Sequence, residues 1–258
     1  MAEPLYFRIY GDYRGPEPVF HPREACPWLA EIERHWRTIR EEFEDYHYRR
    51  RQRLTDSYVP DDVEIRGWRS VNFVTYRHWY RANCVAFPRT VAVLRTIPHL
   101  TSAFVNLLEP HARLHPHNGD TNTTYRCHLG LIIPEPQGDP NACGLEVGGE
   151  RCGWREGEAF AFNEAFYHTV WNETDHDRVV LVFDVIKPAY RPRMRRICGA
   201  VLGAITVTTL ETRWPVLRRL PAAARRGLHR LLGFAATAVV SLEREPGSRG
   251  LPDAAVPR

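Results

Sequence analysis

The chain has 258 residues, 43% of them hydrophobic, with 35 Lys plus Arg against 31 Asp plus Glu and a formal net charge of +4. This length, a globular apolar share and the lack of a repeat support one substantial core carrying extensions and argue against two full domains. The positive excess is too small, and the acids too interspersed, for a nucleic-acid-binding surface.

The opening stretch MAEPLYFRIYGDYRG has no basic start followed by an apolar run, so no secretory signal is expected and a cytoplasmic location is. Cys26, Cys84, Cys127, Cys143, Cys152 and Cys198 form no CxxC pair, which fits reduced thiols. Trp28, Ile32, Trp36, Ile39, Phe43 and Tyr46 recur at helical spacing and predict an amphipathic helix over residues 27–48, with Pro27 in its first turn and its aromatic stripe packed on a sheet. Residues 50–68 read as a loop at the substrate entrance, 70–76 as a strand, and 89–97 as a second helix halted by Pro98.

Strand-like segments follow at 103–108, 126–133, 144–147, 150–154, 159–162, 166–171 and 179–186, separated by Gly, Pro, Asn and Asp. Short strands preceded by helices predict a mainly β fold: a double-stranded β-helix, or jelly roll, with flanking helices and a C-terminal helical extension. If Gly148-Gly149 is a two-residue hairpin turn, Val147 faces Glu150 and Leu145 faces Cys152. Cys143 then lies opposite Trp154, and Cys143 and Cys152 are expected to be free thiols.

Within HNGDTNTTYRCHLGL, which begins at His117, period-2 alternation puts Arg126, His128 and Gly130 on one face of a strand and Cys127, Leu129 and Leu131 on the other. About fifty residues on, FYHTVWNETDHDR carries His168, on a face with Val170, and ends on Arg178 at the head of the apolar run VVLVFDV. Burial there would desolvate the guanidinium unless an anion meets it. His117 sits in HPHNGD, a turn just before a strand. Taken singly, it is a loop histidine, His168 a core histidine and Arg178 a surface partner of Asp175 or Asp177. Taken together, two imidazoles and a guanidinium are what a mononuclear iron(II) enzyme using 2-oxoglutarate and O2 requires.

These segments resemble the aspartyl/asparaginyl β-hydroxylase family of iron(II)/2-oxoglutarate oxygenases. PHNGDTN is similar to that family's PHxGxxN, RCHLGL to its RxHLGL, and WREGEAFAFNEAFYHTVWNETDHDRVVLVFDVIKP to its WxEGxxxxFDDSFxHxVxNxxxxxRxxxxxDxxxP. The likeness runs from Cys26 to Pro188, more weakly through PWLAEIERHWRTIREE and CVAFPRTVAVLRTIPHL. It implies that His117 and His168 ligate iron and that Arg178 clamps the distal carboxylate of 2-oxoglutarate. It further implies that Arg126 and His128 contact the cosubstrate's other end, and that Asn106 stands where the family has a cosubstrate-binding serine. The usual third ligand, a carboxylate two residues after the first histidine, is replaced by Gly119, as in the family. Water, Asp120 or a halide remain open for that position, the last implying a halogenase.

From 190 to 230 the chain carries ten arginines against one acid, Glu211, around the uncharged run ICGAVLGAITVTTL; LLGFAATAVVSL follows. Neither run reaches the roughly twenty residues that span a bilayer. An interfacial membrane helix, a substrate lid and helices packed on the domain all fit. The expected organisation is an N-terminal extension to 21, the oxygenase domain over 22–190, a basic helical extension over 191–244 and a disordered tail over 245–258. The resemblance implies hydroxylation of an unactivated C–H bond in a small-molecule, peptide or carrier-bound substrate. A related branch hydroxylates lipid A and ornithine lipids, often with an acid after the first histidine, which Gly119 does not supply. The β-carbon of an aspartyl or asparaginyl unit is therefore the expected target, a membrane-lipid acyl chain the alternative, and a catalytically silent binding protein the outside case.

Overall fold

Burial along residues 178–186 alternates between two separate cores, and that alternation organises the fold. Val179, Leu181, Phe183 and Val185 pack toward the helices with Cys127, Leu129 and Leu131, whereas Val180 and Val182 face Leu114, Leu145, Val147 and Val170. The protein, seen in a computed structural model that describes residues 5–56, 67–135, 139 and 141–242, is thus two stacked sheets with helices on the outer face of the larger.

The strands are β1 (Phe20–His21), β2 (Thr55–Asp56), β3 (Trp68–Thr75), β4 (His78–Trp79), β5 (Leu100–Leu108), β6 (Ala112–His117), β7 (Thr124–Ile132), β8 (Cys143–Val147), β9 (Glu150–Cys152), β10 (Ala159–Phe162), β11 (His168–Asn172) and β12 (Arg178–Ile186). The larger sheet runs β1-β10-β7-β12-β5-β3-β2, with β4 on β3; the smaller runs β6-β11-β8-β9, and every named pairing is antiparallel. This is the expected jelly roll. The hairpin register is also as expected, Val147 opposite Glu150 and Leu145 opposite Cys152, and all six cysteines are free. The proposed entrance loop and the 245–258 tail fall largely or wholly outside the described residues.

Three local expectations need correction. The helix over 27–48 is two helices, α1 (Trp28–Arg34) and α2 (Trp36–Glu44), followed by a π turn at Asp45–Arg49. The break is at His35, where φ −105° and ψ 8° leave helical geometry and the amide bonds back to Ile32, closing a turn. The second helix is preceded by another, α3 (Arg81–Ala86), before α4 (Pro88–Leu94); Pro88 disfavours helical geometry at Phe87, which adopts φ −127°, ψ 59°. Third, His117 ends a strand, β6, instead of lying in a turn before one. Pro116 hides that strand in the sequence and is tolerated because β6 is a sheet edge.

After β12 come α5 (Met194–Arg213), a 3-10 turn at Pro215–Arg219 and α6 (Ala222–Leu242). The two long helices approach so closely that a Cβ on Gly203 would lie 2.5 Å from the Gly233 amide nitrogen, which only glycine permits. The hairpin seats on the sheets through Tyr76 against Cys198, Val201 and Val240, and through Ile186 and Tyr190 against Ile197. Glu211 is buried and pairs with both Nε and Nη2 of Arg225.

Candidate active site

Strand pairing brings the two expected histidines together: His168, first in β11, is the register partner of His117, last in β6. Their ring centroids are 4.3 Å apart, and a register shift follows at once between His168 and Val170. Each Nδ1 lies 2.9 Å from a backbone carbonyl two residues back, His115 for one and Phe166 for the other. A carbonyl only accepts, so Nδ1 carries the proton in both rings and Nε2 holds the lone pair. Burial lowers the pKa of His117 and pushes that of His168 well below the ordinary imidazole value, which keeps both rings neutral. Two neutral imidazoles with their second nitrogens tethered are suited to bind one metal ion.

Arg178 heads β12 and is 1% exposed. Its Nη1 donates to Asn106 Oδ1 at 3.2 Å, its guanidinium lies 4.7 Å over the Trp154 ring, and its Nε has no partner. No carboxylate among the described residues pairs with it, and desolvation pulls its pKa down to about 10. Trp154 also donates from Nε1 to His128 Nδ1 at 3.1 Å, so the proton of His128 is on Nε2. Burial first, then Arg178 and Arg126, hold that ring neutral.

Arg126 is more heavily engaged than the sequence suggests. Its Nε and Nη2 donate to the two oxygens of Asp184, both at 2.9 Å, and its Nη1 lies 2.5 Å from Glu164 Oε2. Both acids are buried. Glu164 is pushed well above the usual carboxyl range by burial, with Asp184 and Asp120 adding to it and Arg126 opposing. Its side chain fills the space that a Cβ at Gly119 would need, while the Gly119 amide donates to the Glu164 carbonyl at 2.7 Å. Glycine at 119 is therefore a packing requirement here. Asp120 is held elsewhere, accepting from the Tyr76 hydroxyl at 3.2 Å and pairing with Arg8 at 3.5 Å. Among the described residues no three His, Cys, Asp or Glu side chains cluster as a metal site, so any ion here would rest on the two imidazoles.

All six residues singled out in the sequence, His117, His168, Arg178, Arg126, His128 and Asn106, line one cavity of about 60 Å3 between the sheets. Trp68, Phe104, Leu114, Phe162, Val170 and Val182 complete its wall. His117 also lines a middle cavity of about 340 Å3, beside Ser70, Tyr76, Arg126 and Glu164, and an outer one of about 540 Å3. The outer cavity is walled on one side by Asp120 and Tyr167 and on the other by Ala204, Thr208 and Arg218 of the C-terminal hairpin. Sequence reasoning missed Trp154, Glu164 and Asp184 as participants. Asp184 had a signal, since it is the lone acid in an otherwise apolar run.

A family model described as aspartyl/asparaginyl beta-hydroxylase matches residues 33–188. The chain is similar to the ornithine lipid ester-linked acyl 2-hydroxylase of Rhizobium tropici, 35% identical over 68% of this chain and 63% of that protein. It is 27% identical to the aspartyl/asparaginyl beta-hydroxylase of Homo sapiens over 72% of this chain and 24% of that one. With aspartate beta-hydroxylase domain-containing protein 2 of Rattus norvegicus it shares 31% over 67% and 52% of the two chains. In each case the chain spans less than two thirds of its relative's length. The matched segment stops at 188, so the hairpin of α5 and α6 lies beyond it.

Proposed function

The chain belongs to the aspartyl/asparaginyl beta-hydroxylase family, and on that premise we propose a 2-oxoglutarate-dependent hydroxylase with His117 and His168 as ligands of a single ferrous ion. The observation that carries this reading is Arg178, a desolvated guanidinium with an unpartnered Nε and no acid beside it among the described residues, on the wall of the same cavity as the two imidazoles. A buried cation without an anion is costly, and one that lines a cavity calls for an anionic ligand. The distal carboxylate of 2-oxoglutarate answers that need.

In this reading Arg178 binds the cosubstrate carboxylate, and Asn106 and Trp154 hold the guanidinium in place by hydrogen bond and stacking. Trp154 also sets the His128 tautomer, leaving Nε2–H to donate to the cosubstrate's other end. Arg126 lines the same wall, with Asp184 and Glu164 fixing the orientation of its guanidinium. The aromatic and β-branched wall excludes water from the reaction. Ferrous iron, 2-oxoglutarate and O2 together supply the oxidation that yields succinate and CO2 and converts a substrate C–H into C–OH.

For substrate, an acyl chain of a polar lipid is favoured. Gly119 lacks the acid often found after the first histidine in lipid hydroxylases, but Glu164 occupies that space with a carboxyl of its own, so Gly119 does not discriminate between an aspartyl or asparaginyl unit and a lipid. The similarity to a lipid acyl hydroxylase and the hairpin wall of the outer cavity favour the lipid. The aspartyl or asparaginyl reading keeps the support of the human relative's name.

The test is iron-dependent succinate release with lipids, peptides and free or carrier-bound amino acids, the product mass checked for one added oxygen or one chlorine. His117→Ala and His168→Ala are each expected to lower turnover by more than about a hundredfold. Full activity in both variants removes the metal assignment, and a peptide product with no lipid product reverses the substrate assignment.

A further inference from the structure

On α6, 3.6 residues per turn place His229, Gly233 and Val240 on one face, and these are buried against α5. The opposite face ought to be polar in a surface helix. Instead it carries Leu231, Phe234 and Leu242, which are 65%, 78% and 82% exposed, with exposed Ala238 between them. The preceding turn adds exposed Trp214, Val216 and Leu220. Arg226 and Arg230, one turn apart and both exposed, flank the apolar face of α6, and Arg213 and Arg219 flank the turn.

From 190 to 242 the only acid is Glu211, and it is buried on Arg225. We propose that this face, the outer side of α6 with the 214–220 turn, docks the protein on an anionic lipid bilayer, lying in the headgroup plane without crossing it. Exposed Leu and Phe side chains need an apolar medium, which a nucleic acid does not offer. The surrounding arginines need anions, which a second copy of the same acid-free face does not offer, because a two-fold contact would oppose arginine to arginine. An anionic bilayer supplies both: acyl chains beneath the apolar residues, phosphates beside the guanidiniums, and an interface level that suits Trp214. No described helix is long and apolar enough to span the membrane, which leaves the interfacial mode.

The same hairpin presents Ala204, Thr208 and Arg218 to the outer cavity that His117 lines. The surface lies outside the family match and does not depend on which substrate is hydroxylated.

The full chain is floated with vesicles of phosphatidylcholine alone and of phosphatidylcholine mixed with phosphatidylglycerol. It is compared with a Leu231→Ser, Phe234→Ser, Leu242→Ser variant and an Arg226→Glu, Arg230→Glu variant. Expected are binding to the anionic vesicles, little to the neutral ones, and a loss of about tenfold or more in each variant. Substrate-independent succinate release should be unchanged in both variants, so a failed reaction and a failed docking surface are told apart. Absence of vesicle binding by the intact chain overturns the proposal, as does equal binding by the variants. A dimer of the intact chain that the apolar variant converts to monomer, without vesicle binding, also overturns it and assigns the face to self-association.

Discussion

Between the sheets, Arg126, Arg178, Asp184 and Glu164 are turned inward and the apolar residues of β12 are sealed on both faces; in the C-terminal hairpin, arginines and large apolar side chains alike are turned out. The first region places charge where water would have solvated it better, and the second places hydrocarbon where water solvates it worst. Both arrangements oppose what folding alone favours. In the interior Arg126 is met by the carboxyls of Asp184 and Glu164, whereas Arg178 meets none among the described residues, so the unmatched cation is one guanidinium. In the hairpin the mismatch is spread over a face.

The contrast breaks most visibly at paired phenylalanines. Phe183→Ala is expected to cost about 3–5 kcal/mol in urea unfolding, whereas Phe234→Ala is expected to stay within about 0.5 kcal/mol. A large cost at Phe234 would mean that its face is part of the core after all. Next is Arg178→Met, which should eliminate roughly 1.5–3 kcal/mol of stabilisation by 2-oxoglutarate with manganese, read as the ligand-induced rise in Tm. The same change should stabilise the ligand-free chain by about 1 kcal/mol, because it removes an uncompensated buried cation. A ligand response that survives in the variant would detach Arg178 from the cosubstrate.

Gly119→Ala pushes a Cβ against the Glu164 side chain and is expected to destabilise by about 2 kcal/mol, with recovery in the Gly119→Ala, Glu164→Ala double variant, measured by thermal unfolding. The smallest effect concerns pH. His128 is held well below the ordinary value of 6.5 when folded, by burial and then by Arg178 and Arg126. Below pH 6.5 the unfolded chain gains a proton that the folded chain refuses. Its contribution to stability is therefore full above that pH and is lost as pH falls, by about 1.4 kcal/mol per pH unit. Urea titrations between neutral and mildly acidic pH should show a shallower decline in His128→Asn by up to that slope.

Much of the interior was legible because alternation is local. The shared face of Arg126 and His128, the partnership of His168 with Val170 and the desolvation of Arg178 each needed only a strand and a neighbouring apolar run. What was hidden depends on residues far apart in sequence. Glu164 reaches the space at Gly119 from 45 positions away (164 − 119). Asp184 meets Arg126 only because β12 and β7 pair in that register. β6 was hidden for a different reason, since Pro116 and two histidines suppress the local signs of a strand and only its edge position tolerates them. In the tail the apolar runs and the arginines were plain, but the close packing at Gly203 and Gly233 decided which side faces outward.

The pairing of His117 with His168 across β6 and β11 has a consequence for assembly. A one-residue slip between these strands would send one imidazole to the opposite side of the sheet, where no bidentate grip exists. An ion held by both rings, as proposed above, would act as a proofreader of strand alignment: chains that mispair would be left without their rivet, and correctly zipped ones would gain a crosslink at the sheet's outermost rung.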